Sequence, residues 1–137
     1  MTKSNLTLGI IKPGAVRRSV FDEIMQMIDD KGFTIKKKKI LHISIREASK
    51  FYEVHKDRPF FDSLVEFMSS GPIIAMMLEK EDAVACFRKL IGSTNPEDAE
   101  EGTIRKTFAE SLAHNAIHGS DSDENAQKEI DFFFGDN

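Results

Sequence analysis

A chain of 137 residues with a formal net charge of −4, 40% hydrophobic and 31% charged residues, suits one folded domain spanning residues 1–137. The acidic balance excludes a general nucleic-acid binder, which needs a positive footprint for the phosphates. No apolar run approaches the roughly 18 residues of a membrane span, and the start Met-Thr-Lys-Ser-Asn-Leu lacks the apolar core of a secretion signal.

Leu6-Thr7-Leu8-Gly9-Ile10-Ile11 reads as a largely buried first strand, closed by Lys12-Pro13-Gly14. Val20, Ile24, Met27 and Ile28 recur at helical spacing, which predicts a helix from about 16 to 30, stopped by Gly32. The second strand is predicted from Phe33 to Ser44. Its Lys36-Lys37-Lys38-Lys39 run alternates between faces, so at least half of these side chains point away from any single ligand. We read it as a solvated strand start rather than a polyanion patch. Ser44 and Glu47, three apart, form a capping-box pattern that opens a helix through Phe51 and Tyr52. A short helix follows over Phe61 to Met68, broken by Gly71-Pro72, and Ile73 to Leu78 is a third, fully buried strand.

Val84, Phe87 and Ile91 line a helix that ends at Gly92. Cys86 falls on its apolar face and reads as core filler. As the chain's one cysteine it forms no internal disulfide, which fits a reducing cytosol and predicts a cytoplasmic protein. Residues 93–103 are polar, contain Pro96 and Gly102 and lack periodicity, and a loop this long in a small domain usually has a task. A helical turn near Ile104–Phe108, a strand around Asn115–His118 and a helix from about Asp123 to Phe132 complete the chain. Without the inserted helices the order is βαββαβ. It predicts an α+β, ferredoxin-like fold with a four-stranded antiparallel sheet and helices on one face. An open parallel sheet also alternates this way, but the glycine-rich dinucleotide crossover is absent and the chain is short.

The chemistry concentrates at residues 115–122, Asn-Ala-Ile-His-Gly-Ser-Asp-Ser. Ile117 suggests a short buried strand, and Gly119 lets the backbone leave it sharply. His118 then sits at a strand end, facing a cleft, with polar neighbours to orient it. An oriented neutral imidazole is a nucleophile or general base near pH 7. Around it the breaker-rich positions hold an inventory for phosphate. Lys12 ends the first strand, Arg88 precedes the long loop, Thr94 starts it and Arg105 follows it. Arginine grips phosphate in a planar fork, lysine is a point charge and threonine donates a hydroxyl. No P-loop and no Gly-rich, His-Arg-Asp, Asp-Phe-Gly kinase set occurs. The four histidines, His42, His55, His114 and His118, have no metal-ligand spacing on one helix face. In Arg58-Pro59-Phe60-Phe61 one Phe could anchor the following helix while the other is exposed for base stacking, or both could be core.

These landmarks together resemble the nucleoside diphosphate kinase family from Leu6 to about Phe133. They are Ile10-Ile11-Lys12-Pro13-Gly14-Ala15, Phe51-Tyr52 with Arg58-Pro59-Phe60-Phe61, Ser69-Gly71-Pro72, Gly102-Thr103-Ile104-Arg105 and Asn115 to Ser122. The resemblance implies transfer of the terminal phosphate of a nucleoside triphosphate to a nucleoside diphosphate, by ping-pong kinetics through a phosphohistidine. It makes His118 the nucleophile, with Glu129 and Ser120 holding its ring. Lys12, Arg88, Thr94 and Arg105 would bind phosphates with Tyr52 beside them, Asn115 and Lys12 would hold the sugar, and Phe60 would stack on any base. Mg2+ would ride on the nucleotide phosphates with no dedicated protein ligand. The resemblance also implies a homo-oligomer of dimers, tetrameric or hexameric, with no membrane and no specific nucleic acid among its partners.

Three departures from the family pattern stand out: Glu101 where proline is frequent, His114 where arginine is common, and an end at Asn137 without the longer eukaryotic tail. None falls on a residue expected to bind substrate. A catalytically silent scaffold is disfavoured by the intact His118, Lys12, Arg105 and Asn115. An RNA-binding module would need an aromatic motif on a central strand, which is missing.

Overall fold

The structure is a computed structural model that describes residues 5–109 and 116–135. Strand β1 (Leu6–Ile11) leads through Lys12 into a short helix, α1 (Pro13–Arg17), whose first position is the proline. Proline fits there because its fixed φ is already helical and its missing N–H would have no partner. The predicted helix over 16–30 is instead two. The second, α2, runs Phe21–Asp30. Between them Ser19 takes a φ of +59°, the Ser19 N–H donates to Val16 O and the Val20 N–H donates to Ala15 O. That is the double hydrogen bond of a Schellman C-cap. Serine in place of the usual glycine hides the break from the sequence.

Strand β2 spans Thr34–Leu41, shorter than predicted, and α3 (Ile45–Phe51) opens on the Ser44/Glu47 capping box, with both reciprocal bonds formed. A 3-10 turn at Glu53–His55 connects to α4 (Phe61–Met68), followed by β3 (Ile73–Glu79) and α5 (Ala83–Ile91). The stretch 93–103 contains a single 3-10 turn, Pro96–Asp98, before α6 (Ile104–Phe108). Strand β4 (Ile117–Gly119) and α7 (Asp123–Phe134) end the fold. Helix α7 thus runs two residues past the predicted end.

The four strands form one antiparallel sheet in the order β2-β3-β1-β4. This is the predicted four-stranded antiparallel, ferredoxin-like α+β arrangement, and the open parallel alternative is excluded. One part of the expectation is corrected: helices cover both faces. Ile11, Ile74, Met76 and Leu78 face α2 and α5, meeting Ile24, Ile28, Phe87 and Ile91. Leu8, Ile10, Ile73 and Ala75 face the other way, onto α3, α4 and α7. Burial on both faces explains why the central strands read as near-continuous apolar runs instead of alternating.

Strand β2 is an edge, and its four lysines are exposed. Lys36 Nζ lies 3.7 Å from a Glu79 carboxylate oxygen, while Lys39 Nζ donates to Phe133 O at 2.6 Å and sits 5.4 Å from the Phe134 ring centroid. The lysine run is therefore a solvated strand with one member capping the end of α7, where a cation meets the negative pole of the helix.

Candidate active site

His118 occupies the middle of β4 and pairs with Ile10 of β1. Gly119 does not release the backbone from the strand, as its sequence position suggested. It lies opposite Gly9, and a Cβ on it would stand 2.9 Å from Ile91 Cδ1 and from Phe87 Cδ2. Gly119 exists for close packing, which presses β4 against α5.

The imidazole is held from two sides. His118 Nε2 lies 2.8 Å from Glu129 Oε1, and Ser120 Oγ donates to the same oxygen at 2.8 Å. Ser120 is fully buried and accepts the Leu8 N–H in return at 3.3 Å. Glu129 comes from α7, one turn after buried Ala126. Because a carboxylate can only accept, Nε2 carries the proton and Nδ1 presents its lone pair. Edge-on rings complete the clamp, with Phe51 at 5.5 Å and Tyr52 at 6.0 Å between centroids. Neighbours in sequence can both reach His118 because α3 ends at Phe51 and Tyr52 already has non-helical φ and ψ.

Arg105 is buried on α6. Its Nη1 donates to Gly92 O at 3.0 Å and its Nη2 to Ile117 O at 2.8 Å, so the guanidinium ties the end of α5 to the strand carrying His118. Burial and then the nearby Arg88 lower its pKa to about 10, against the opposing pull of Tyr52. Lys12 is also buried, at 6% exposure, and its N–H donates to Ala116 O at 2.9 Å. Burial, and Arg105 after it, push the Lys12 ammonium down to about 7. The Tyr52 phenol is driven upward by burial and by Glu129, with Arg105 opposing. Both the Tyr52 hydroxyl and Arg105 Nε are buried with no hydrogen-bond partner among the described residues.

Arg105 lies close enough to Lys12 and to Arg88 for their charges to repel, so three basic groups gather at one centre, while Glu129 already serves two donors. Such a centre suits a polyanion. Thr94 lies exposed at the start of the long loop. Phe60 is 49% exposed while Phe61 packs on the core, resolving which of the pair anchors α4. Asn115 lies outside the described residues. Sequence reasoning missed the aromatic clamp of Phe51 and the carbonyls of Gly92 and Ile117. The adjacency of Phe51 and Tyr52 at a helix end was the available signal.

Comparison with known proteins agrees with this geometry. The family model described as nucleoside diphosphate kinase matches residues 5–137. The chain belongs to the nucleoside diphosphate kinase family. It is 55% identical over 128 residues to the nucleoside diphosphate kinase of Nitratiruptor sp., covering 93% of each chain. Against that of Francisella tularensis it is 52% identical over 136 residues, covering 99% of this chain and 96% of the relative. A crystal structure of the Aquifex aeolicus nucleoside diphosphate kinase superposes with a TM-score of 0.93 at 44% identity, over 95% of this chain and 94% of that one. The kinase is a phosphotransferase that moves a phosphoryl group between nucleotides by ping-pong, through a phosphohistidine.

Proposed function

We propose that His118 is the phosphoryl carrier and that Nδ1 is the attacking atom. The observation that carries this is the 2.8 Å bond between Nε2 and Glu129, which leaves Nδ1 as the nucleophilic nitrogen. Its lone pair forms a bond to the terminal phosphorus of a nucleoside triphosphate, the P–O bond breaks, and the nucleoside diphosphate departs with the electron pair. The imidazolium that results keeps its Nε2–H on Glu129, which offsets the new positive charge. A terminal phosphate oxygen of a second nucleoside diphosphate then attacks phosphorus, the P–N bond breaks, and neutral His118 returns. Neither half-reaction requires proton transfer to the ring.

Stabilisation of so loose a transition state comes from positioned positive charge. Lys12, Arg88, Thr94 and Arg105 bind the phosphates in this reading. The partnerless Tyr52 hydroxyl and Arg105 Nε support it, since buried polar atoms ordinarily have partners and phosphate oxygens would supply them. Asn115 and Lys12 hold the sugar, and Phe60 stacks on the base, so purines and pyrimidines are both accepted. The donor set fits Mg2+ carried on the nucleotide and held through phosphates gripped by Arg88, Arg105 and Thr94, because cations line the site. When bound, the ion screens phosphate charge. No helix among the described residues is long and apolar enough to cross a membrane. We place the enzyme in the cytoplasm as a dimer-based homo-oligomer of one kinase domain per chain.

Labelled ATP tests the assignment. Wild-type protein should take up label approaching one phosphate per chain, in an acid-labile, alkali-stable adduct that GDP or dCDP discharges. His118→Ala should take up none. Retained activity in His118→Ala, with label on Ser120 or Ser122, would overturn the assignment.

A further inference from the structure

Two short helices carry or follow the buried cations, and one exposed side chain joins them. Helix α1 begins directly after Lys12, and α6 carries Arg105. Each is five residues long, too short to hold its shape without tertiary support. Arg18, the C-cap of α1, spans two carbonyls. Its Nη2 donates to Phe108 O at 2.6 Å, and its Nε donates to Gly14 O at 3.4 Å. Phe108 is the last residue of α6, so the guanidinium sits on the end of a helix 90 residues away in sequence. The other end of α6 is closed locally, where Thr103 Oγ accepts the Lys106 N–H at 3.2 Å. No sequence landmark includes Arg18, because its partner is a backbone carbonyl far along the chain.

We propose that Arg18 is a positioning residue for phosphoryl transfer, tying α6 to α1 so that the Arg105 fork stays beside Lys12 and the strand that carries His118. The inference rests on the reading that Arg105 meets the moving phosphoryl group. Lys12 and Arg105 lie close enough for their charges to repel, which pushes apart the elements that bear them, and a bond between those elements opposes that push. A charged guanidinium on a carbonyl is among the stronger hydrogen bonds, and at a helix end it also meets the negative pole. Arg105 reaches Gly92 O and Ile117 O through its two Nη atoms, so a shift of α6 moves the fork against the His118 strand. Misplacing a group that acts in the transition state by about 1 Å costs up to roughly 100-fold in rate.

Single-turnover formation of the phosphohistidine from ATP, followed by rapid quench, isolates the step. The proteins are wild type, Arg18→Met, Arg18→Lys, Arg105→Ala and the Arg18→Met/Arg105→Ala double variant. Arg18→Met should slow the saturating rate by roughly 10-fold, while the ATP concentration at half-maximal rate changes by less than about 3-fold. Arg18→Lys, which keeps a charged donor for Phe108 O, should stay within about 3-fold of wild type. In the Arg105→Ala background Arg18→Met should cost nothing further, because the group it positions is gone. Equal loss in both backgrounds would mean that Arg18 supports the fold at large, which overturns the proposal. So does a wild-type rate in Arg18→Met, or a loss in Arg18→Lys as large as in Arg18→Met. Should Arg18→Met not fold, Arg18→Gln, too short to span both carbonyls, takes its place in each comparison. If Arg105→Ala transfers like wild type, the phosphate reading of Arg105 itself falls, and the inference with it. A slow Arg105→Ala beside an unaffected Arg18→Met sinks the inference alone.

Discussion

Lys12 shows how the site trades stability for charge. Its ammonium is buried beside Arg105, and its pKa stands at about 7 where an unfolded lysine has 10.5. Between those values the unfolded chain binds more protons than the folded one, so stability rises with pH across that window. Below about 7 both forms are charged and the full penalty applies, on the order of a few kcal/mol. Lys12→Met should therefore raise the melting temperature of nucleotide-free protein at pH 6–7 by roughly 5–10 °C, while abolishing most activity. The gain should shrink as pH climbs from 7 towards 9.5. Thermal melts across pH measure it, and a fall in melting temperature at pH 6 would show that Lys12 is not a strained cation. At this scale His118, Lys12 and Arg105 were legible because motif and spacing carry them. The clamp from Phe51 was not, since it depends on where α3 ends in space. The two carbonyls that hold Arg105 were not either, because a backbone acceptor leaves no mark in a sequence.

Strand β4 is three residues long, and close packing adds to the hydrogen bonds that position it. Gly9 and Gly119 face each other across β1 and β4, and the Phe87 ring lies over both. A methyl at Gly119 would stand 2.9 Å from Phe87 and Ile91 side-chain carbons. Gly119→Ala should thus destabilise the fold by about 1–3 kcal/mol through overpacking, and should lower activity because the displaced strand carries His118. Phe87→Leu in the same chain should recover part of both losses by clearing the ring. Denaturant unfolding and initial rates of the two variants check this, and a Gly119→Ala protein as stable as wild type would remove the packing account. The sequence announced a glycine after His118 but not its reason, because turn and close approach call for the same residue. In the same way periodicity ran across the Ser19 break, where Val20 stays in phase with α2. Capping chemistry was more readable: the Ser44 box stands where its spacing put it.

At the scale of the molecule, the four-stranded antiparallel sheet followed from the βαββαβ sequence of elements, but the second helical face did not. Apolar runs such as Ile73–Leu78 are compatible with burial on one face or two, and the inserted α3 and α4 decide the matter only once they fold back with α7. The Phe132–Phe134 end turns largely onto the molecule's own core, with Phe133 buried. Exposed apolar side chains include Ile40 on the edge strand β2 and Ile45 at the start of α3, both 66% exposed. A long edge strand with an exposed isoleucine invites pairing, and its lysines discourage promiscuous partners, which together favour a defined symmetric dimer. Higher assembly depends in this reading on the loop 93–103, where Glu101 replaces a stiffening proline and is exposed. Contacts between dimers should then be weaker than those within them. Light scattering over a dilution series, repeated in mild urea, should show the larger species dissociating to dimers before any unfolding. Glu101→Pro should shift that dissociation to lower protein concentration. A monomer at micromolar concentration would refute the oligomer, and passage from the largest species straight to unfolded chains would refute the weak link between dimers.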